Sequence, residues 1–178
     1  MLLSIKEMER KKLRFQETFQ PGQIDFSAEE LEQISQLEAQ GTAELLAHSE
    51  GEVRLECTYT VEMGSACDRC LAPARYPLKG TLDLYYQPMS AIAKEEEIEI
   101  DEGEAEIAFY EGGGIELKDV LREQILLALP MQRLCREDCK GICPQCGKNR
   151  NEGGCECVPE AGEPRWEGLR NLRMKPSA

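Results

Sequence analysis

Nine cysteines among 178 residues are the groups best able to do chemistry in this chain, and eight of them stand in close pairs. The pairs are Cys67 with Cys70, Cys135 with Cys139, Cys143 with Cys146, and Cys155 with Cys157; Cys57 stands alone. A tetrahedral zinc site needs four soft ligands, and a turn with two cysteines three positions apart supplies two of them. In Cys143-Pro144-Gln145-Cys146-Gly147 the proline fixes φ and the glycine permits a positive φ, as in a zinc-ribbon knuckle. Cys155 and Cys157 return across Gly153-Gly154, so Cys143, Cys146, Cys155 and Cys157 are expected to form one all-thiolate site, the tail cluster. Cys67, Cys70, Cys135 and Cys139 remain as a second set, the bridging cluster, which closes only if the fold brings the two pairs together. One zinc ion is thus expected, with a second if that closure occurs. Two alternatives stay open: a redox-active Cys67/Cys70 pair, and a single site drawn from Cys135, Cys139, Cys143 and Cys146. Cys57 falls in the apolar phase of a strand and reads as an inert core thiol.

Other chemistry is sparse. The single histidine, His48, is far in sequence from every cysteine pair, and there is no P-loop, dinucleotide-binding turn or nucleophile elbow, so the chain reads as a non-enzyme. No apolar run approaches the roughly 20 residues of a membrane span. The N-terminus becomes charged at once with Lys6, Glu7 and Glu9-Arg10-Lys11-Lys12. These features predict a cytoplasmic protein with no membrane association, in a reducing compartment where paired cysteines serve metals or redox chemistry.

Charge divides the chain. Residues 1–132 carry 12 basic and 27 acidic side chains, and residues 133–178 carry 9 and 7. An acidic body repels a phosphate backbone and favours a basic protein partner, while RNA contact falls to the tail, through Lys140, Lys148, Arg150, Arg165, Arg170 and Arg173. Eight carboxylates lie between Glu95 and Glu106, a stretch that reads as a solvated linker or as a docking surface for a cationic partner.

The elements that must position these groups are legible as periodicity. Leu13 to Phe19 alternates in part and ends at Pro21-Gly22, a strand and a turn. Ser27-Ala28-Glu29-Glu30 has capping-box spacing before Leu31, Ile34 and Leu37, which predicts a helix over 28–38. From Ala43 the period becomes two, breaks at a hairpin turn over 49–52, and resumes as Val53, Leu55, Cys57, Tyr59, Val61 and Met63. A further strand runs from Ala74 to Tyr86, Ile107 and Phe109 mark a short last one, and the strands should pair antiparallel. Leu117, Val120, Leu121, Gln124, Ile125 and Ala128 fall at helical steps until Pro130, predicting a helix over 116–129 that covers the sheet. The expected fold is α+β: an antiparallel, barrel-like sheet covered by this helix. Residues 1–130 form its core domain, with an acidic insertion at 90–106, and residues 131–178 a small Cys-rich, zinc-ribbon-like tail.

Several of these segments together resemble the bacterial YceD-like family, named for large ribosomal RNA subunit accumulation and also known as a domain of unknown function. The resemblance spans nearly the whole chain. It rests on Cys67-Asp68-Arg69-Cys70-Leu71 after a long strand, on Leu117 to Pro130, on Cys135 through Cys139, Cys143, Cys146 and Asn149 to Asn151, and on Glu163-Pro164-Arg165 ahead of Leu169, with Glu163 where the family has Asp. It implies a cytoplasmic, non-enzymatic ribosome biogenesis factor supporting 23S rRNA synthesis, processing or stability, partnered by a basic ribosomal protein or rRNA-processing factor. It implies no catalytic step, and any metal would be structural. The competing class is a thiol redox or zinc-sensing protein using Cys67 and Cys70.

Overall fold

The computed structural model describes residues 1–47, 49–90 and 107–157. Its centre is a long hairpin. Strand β5 (Val53–Ala66) and β6 (Pro73–Pro88) pair antiparallel from Val53 with Tyr86 to Ala66 with Pro73. Alternation puts Val53, Leu55, Cys57, Tyr59, Val61 and Met63 on the buried face and charged or threonine side chains opposite. Strands β2 (Leu13–Phe19), β3 (Glu32–Gln33) and β4 (Leu37–Leu45) extend the sheet on the β5 side, and β7 (Ile107–Tyr110) on the β6 side. The N-terminal strand β1 (Leu2–Ser4) runs into a single helical turn, α1 (Ile5–Met8), and pairs separately with β8 (Gly114–Glu116).

The sheet is open rather than barrel-like. Among the described residues its strands follow β2-β4-β5-β6-β7 with β3 on the flank of β5, and no ladder joins β2 to β7. Closure is unnecessary because helix α2 (Leu117–Ala128) covers the apolar face with Leu117, Val120, Leu121 and Ile125, all buried. The Tyr59 hydroxyl reaches across to donate to the Gln124 carbonyl at 3.2 Å. Four such side chains contribute on the order of 6–12 kcal/mol before chain entropy. The pairing is also not wholly antiparallel, since β7 lies parallel to β6.

The helix expected over 28–38 does not form. A 3-10 turn at Ser27–Glu29 ends at Glu30 in the left-handed region (φ 55°), and the chain then enters β3 and β4. The capping box would have Ser27 as N-cap and Glu30 as its acid, but other contacts hold this turn. Ser27 donates from its backbone N–H and its hydroxyl to Asp25 Oδ1, at 2.9 and 2.7 Å, and Glu29 pairs with Arg122 of α2. Leu31, Gln33 and Leu37 are buried at odd positions, the spacing of strands. Cys57 is buried in the sheet core, and that burial pushes its thiol up to about 11.

Candidate metal centres

The β5–β6 hairpin ends in the turn Cys67–Ala72, so the longest ladder among the described residues carries one cysteine pair at its tip. There the Cys67 N–H donates to the Ala72 carbonyl (2.8 Å), the Leu71 N–H donates to the Cys67 carbonyl (2.9 Å), and Leu71 has φ 61°. The turn at Cys143 repeats this bond for bond. Cys143 N–H donates to the Lys148 carbonyl, Gly147 N–H donates to the Cys143 carbonyl, both at 2.9 Å, and Gly147 has φ 72°. These are two copies of one knuckle, one with the glycine its conformation favours and one with an exposed leucine in its place. A left-handed leucine costs roughly 1–2 kcal/mol. Leu71→Gly is therefore expected to raise stability by about 1 kcal/mol, read as a higher denaturant midpoint at unchanged slope; a lower midpoint would show that the Leu71 side chain holds the turn.

After α2 the chain returns to that hairpin tip. Asp68 N–H donates to the Arg133 carbonyl (2.8 Å), Arg133 N–H donates to Asp68 Oδ2 (2.6 Å), and Arg69 donates to the Cys139 carbonyl (3.2 Å) and to Gln132 Oε1 (3.1 Å). These bonds deliver Cys135 and Cys139 to Cys67 and Cys70. The Cys67 and Cys139 sulfurs lie 3.8 Å apart, those of Cys70 and Cys135 3.6 Å, and all four fall within 4.8 Å of one another. Cys67, Cys70 and Cys139 are buried beside Ala74 and Tyr76, a small satellite of the main core. Cys143, Cys146, Cys155 and Cys157 likewise gather within 4.8 Å, in a more open setting.

Both sets fit zinc. Four sulfurs at ~2.3 Å from one ion form a tetrahedron with edges of about 3.8 Å, whereas a disulfide would need ~2.05 Å. The thiols also divide as a cluster awaiting a cation should. Burial pushes Cys67 up, but N–H groups of Cys135, Arg69 and Cys70 outweigh it and bring the thiol down to about 6. Cys143 falls to about 6 through the N–H groups of Cys146 and Gln145. Their neighbours resist a second charge: Cys135 is pushed up to about 12 by burial and by Cys70, and Cys157 to about 12 by Cys146. A divalent ion removes that conflict, since it stabilises all four thiolates at once.

Of the other sequence-derived candidates, Lys140, Lys148 and Arg150 lie exposed on the hairpin that joins the two clusters, where Ile142 and Asn149 form an antiparallel bridge. Arg165, Arg170, Arg173, His48 and the run from Glu95 to Glu106 lie outside the described residues. Asp68, Arg69 and Asn151 stand inside the motifs that carry the family resemblance, but nothing in sequence assigned them or Arg133 the role of holding the clusters, because a bond such as that from Arg133 N–H to Asp68, across 65 residues, leaves no local pattern. Among the described residues no helix is long and apolar enough to cross a membrane.

An open α+β sheet whose hairpin tip and C-terminal segment share two four-cysteine clusters able to hold one or two zinc ions defines the class of this molecule. The chain belongs to the YceD family: the model for "Large ribosomal RNA subunit accumulation protein YceD" matches residues 53–173, from the first strand of the central hairpin through both clusters. The family's description names accumulation of an RNA. An uncharacterized protein of Mycobacterium tuberculosis is 33% identical over 111 residues, 62% of this chain and 44% of the relative. The uncharacterized protein YlbN of Bacillus subtilis is 24% identical over 173 residues, 96% of this chain and 94% of the relative. A chloroplastic Arabidopsis thaliana protein, "Large ribosomal RNA subunit accumulation protein YCED homolog 1", is 32% identical over 59 residues, 33% of this chain and 18% of that one. The match spans less than half the length of the mycobacterial relatives, and no solved structure matches.

Proposed function

We propose that this protein is a zinc-ordered, non-enzymatic factor that supports 23S rRNA synthesis, processing or stability in the cytoplasm. The match of the rRNA-accumulation family across 53–173 carries this reading. The chemistry supports it: an all-thiolate tetrahedron is coordinatively closed and leaves no position for a water or substrate, so the ions order the chain. In this reading the acidic body meets a basic ribosomal protein or rRNA-processing factor, and the tail approaches rRNA through Lys140, Lys148, Arg150, Arg165, Arg170 and Arg173. Depletion should lower mature large-subunit rRNA, with rescue by wild type. The variant with those six residues changed to Ser should rescue poorly and lose salt-sensitive association with pre-ribosomal particles. Unchanged rRNA on depletion would overturn the function; full rescue by the six-fold variant would assign recognition to protein surfaces, first among them Glu95 to Glu102.

The Cys67 thiol near 6, with sulfur neighbours at 3.6–3.8 Å across the cluster, favours a second reading. Peroxide could oxidise two thiolates to a disulfide, the peroxide being reduced to water, and so expel the ion. Zinc release at low peroxide, reversed by a dithiol, would support this sensor; retention of zinc until the protein denatures would dismiss it.

A further inference from the structure

We infer that the two clusters are not independent: the tail cluster builds part of the shell of the bridging cluster, and Asn151 is the residue that couples them. This rests on the metal reading above. Asn151 lies between Cys146 and Cys155 in sequence, inside the loop that the tail cluster closes, yet its side chain serves the other cluster. Its Nδ2 donates to Cys139 Sγ at 3.4 Å and to Asn149 Oδ1 at 2.9 Å, while its Oδ1 accepts from Lys140 N–H at 2.9 Å and from Arg136 at 2.8 Å. The carboxamide is thus used on both sides. Asn151 Nδ2 is a donor aimed at a sulfur that must be anionic to bind an ion.

The intervening hairpin is fixed to the same place. Arg150 N–H donates to the Gly141 carbonyl, and Ile142 N–H donates to the Arg69 carbonyl inside the first knuckle, both at 2.9 Å. Gly141 permits this approach, since its φ is +71° and a Cβ there would stand 2.9 Å from the Arg69 oxygen. The hairpin that carries Asn151 has little apolar burial of its own, so the closure of Cys143, Cys146, Cys155 and Cys157 around an ion is what gives Asn151 a defined position. Outer-shell donors to a ligand typically change metal affinity 10–100-fold. Because such coupling is reciprocal, filling the bridging cluster must tighten the tail cluster by the same factor.

The test compares full-length wild type, Asn151→Asp, Cys146→Ser and the double variant. Zinc is competed with a chelator series, and cysteine alkylation mapped by mass spectrometry shows which cluster has lost its ion. Asn151→Asp keeps the oxygen that Arg136 and Lys140 need and removes the donor to Cys139, but it also loses the bond to Asn149 Oδ1. Asn149→Ala, which loses the Asn149 bonds and keeps the donor to Cys139, is therefore measured beside it and should hold zinc as wild type does. Coupling predicts that Asn151→Asp weakens zinc retention at Cys67, Cys70, Cys135 and Cys139 by at least tenfold. It also predicts that Cys146→Ser does the same, and that the double variant is no weaker at that cluster than Cys146→Ser alone. Effects that multiply in the double variant, or an Asn151→Asp protein that retains zinc as wild type does, would overturn the coupling. Wild-type protein whose bridging cluster is alkylated at zinc levels that protect the tail cluster would instead overturn the metal reading of the bridging cluster, and the coupling with it.

Discussion

Stripping zinc from this protein is expected to open residues 131–157 to trypsin while the sheet and α2 remain folded. Within that segment only Cys139, Gly141 and Cys143 are buried, so the cysteines are its core and no apolar set can replace them. Zinc binding in small metal-ordered segments amounts to about 10–16 kcal/mol, far more than any other interaction available here. Cleavage should fall at Arg133, Arg136, Lys140, Lys148 and Arg150, and Cys143→Ser should reproduce it without a chelator. The division into a core over 1–130 and a tail over 131–178 is proposed on this basis; a sheet that melts with the tail would refute it, and freshly reduced protein without zinc would end the metal reading. Acid should act as the chelator does. Protons compete with the ion for thiolate sulfur, so the stability that zinc confers is present at neutral pH and lost as pH falls.

The opposite dissection is expected from Leu121→Ala. Leu121 has no exposed surface and lies in the centre of the α2 face that covers the sheet. Removing three buried carbons there should cost about 2–5 kcal/mol and lower the melting temperature of the sheet by on the order of 10 °C. Leu127→Ala, on the same helix but 72% exposed, should stay within about 0.5 kcal/mol. Zinc retention by the tail cluster should be the same in both variants at a temperature where each is folded. Loss of zinc in Leu121→Ala under those conditions would show that tail and core unfold as one unit.

How much of this was legible depends on whether the determining contact is local. The alternation from Val53 to Met63 and the 3- and 4-residue steps from Leu117 to Ile125 are side-chain patterns of single elements, and they correspond to β5 and α2. The pairing of Cys143 and Cys146 with Cys155 and Cys157 is nearly as local, within fifteen residues. Sheet closure is not local: alternation says which face of each strand is buried and nothing about curvature, so a barrel and an open sheet under a helix share one pattern. Ser27 to Glu30 misled because Ser27 serves Asp25, Glu30 turns left-handed, and the neighbouring Glu29 pairs with Arg122, 93 residues further on. The knuckle at Cys67 was half hidden, since Leu71 stands where the turn geometry favours glycine.

The reach of the bridging cluster has a consequence for how the chain is made. Cys70 and Cys135 are 65 positions apart, and Cys67 and Cys139 are 72. At a synthesis rate of ~5–20 residues per second, the hairpin tip leaves the ribosome roughly 3–13 s before its partners. For that interval the nascent protein presents a two-thiol turn with no second pair to complete a tetrahedron. Such a turn can hold an ion only loosely and can be captured by a stray disulfide, so the period of greatest chemical vulnerability falls during translation, before the last quarter of the chain has emerged.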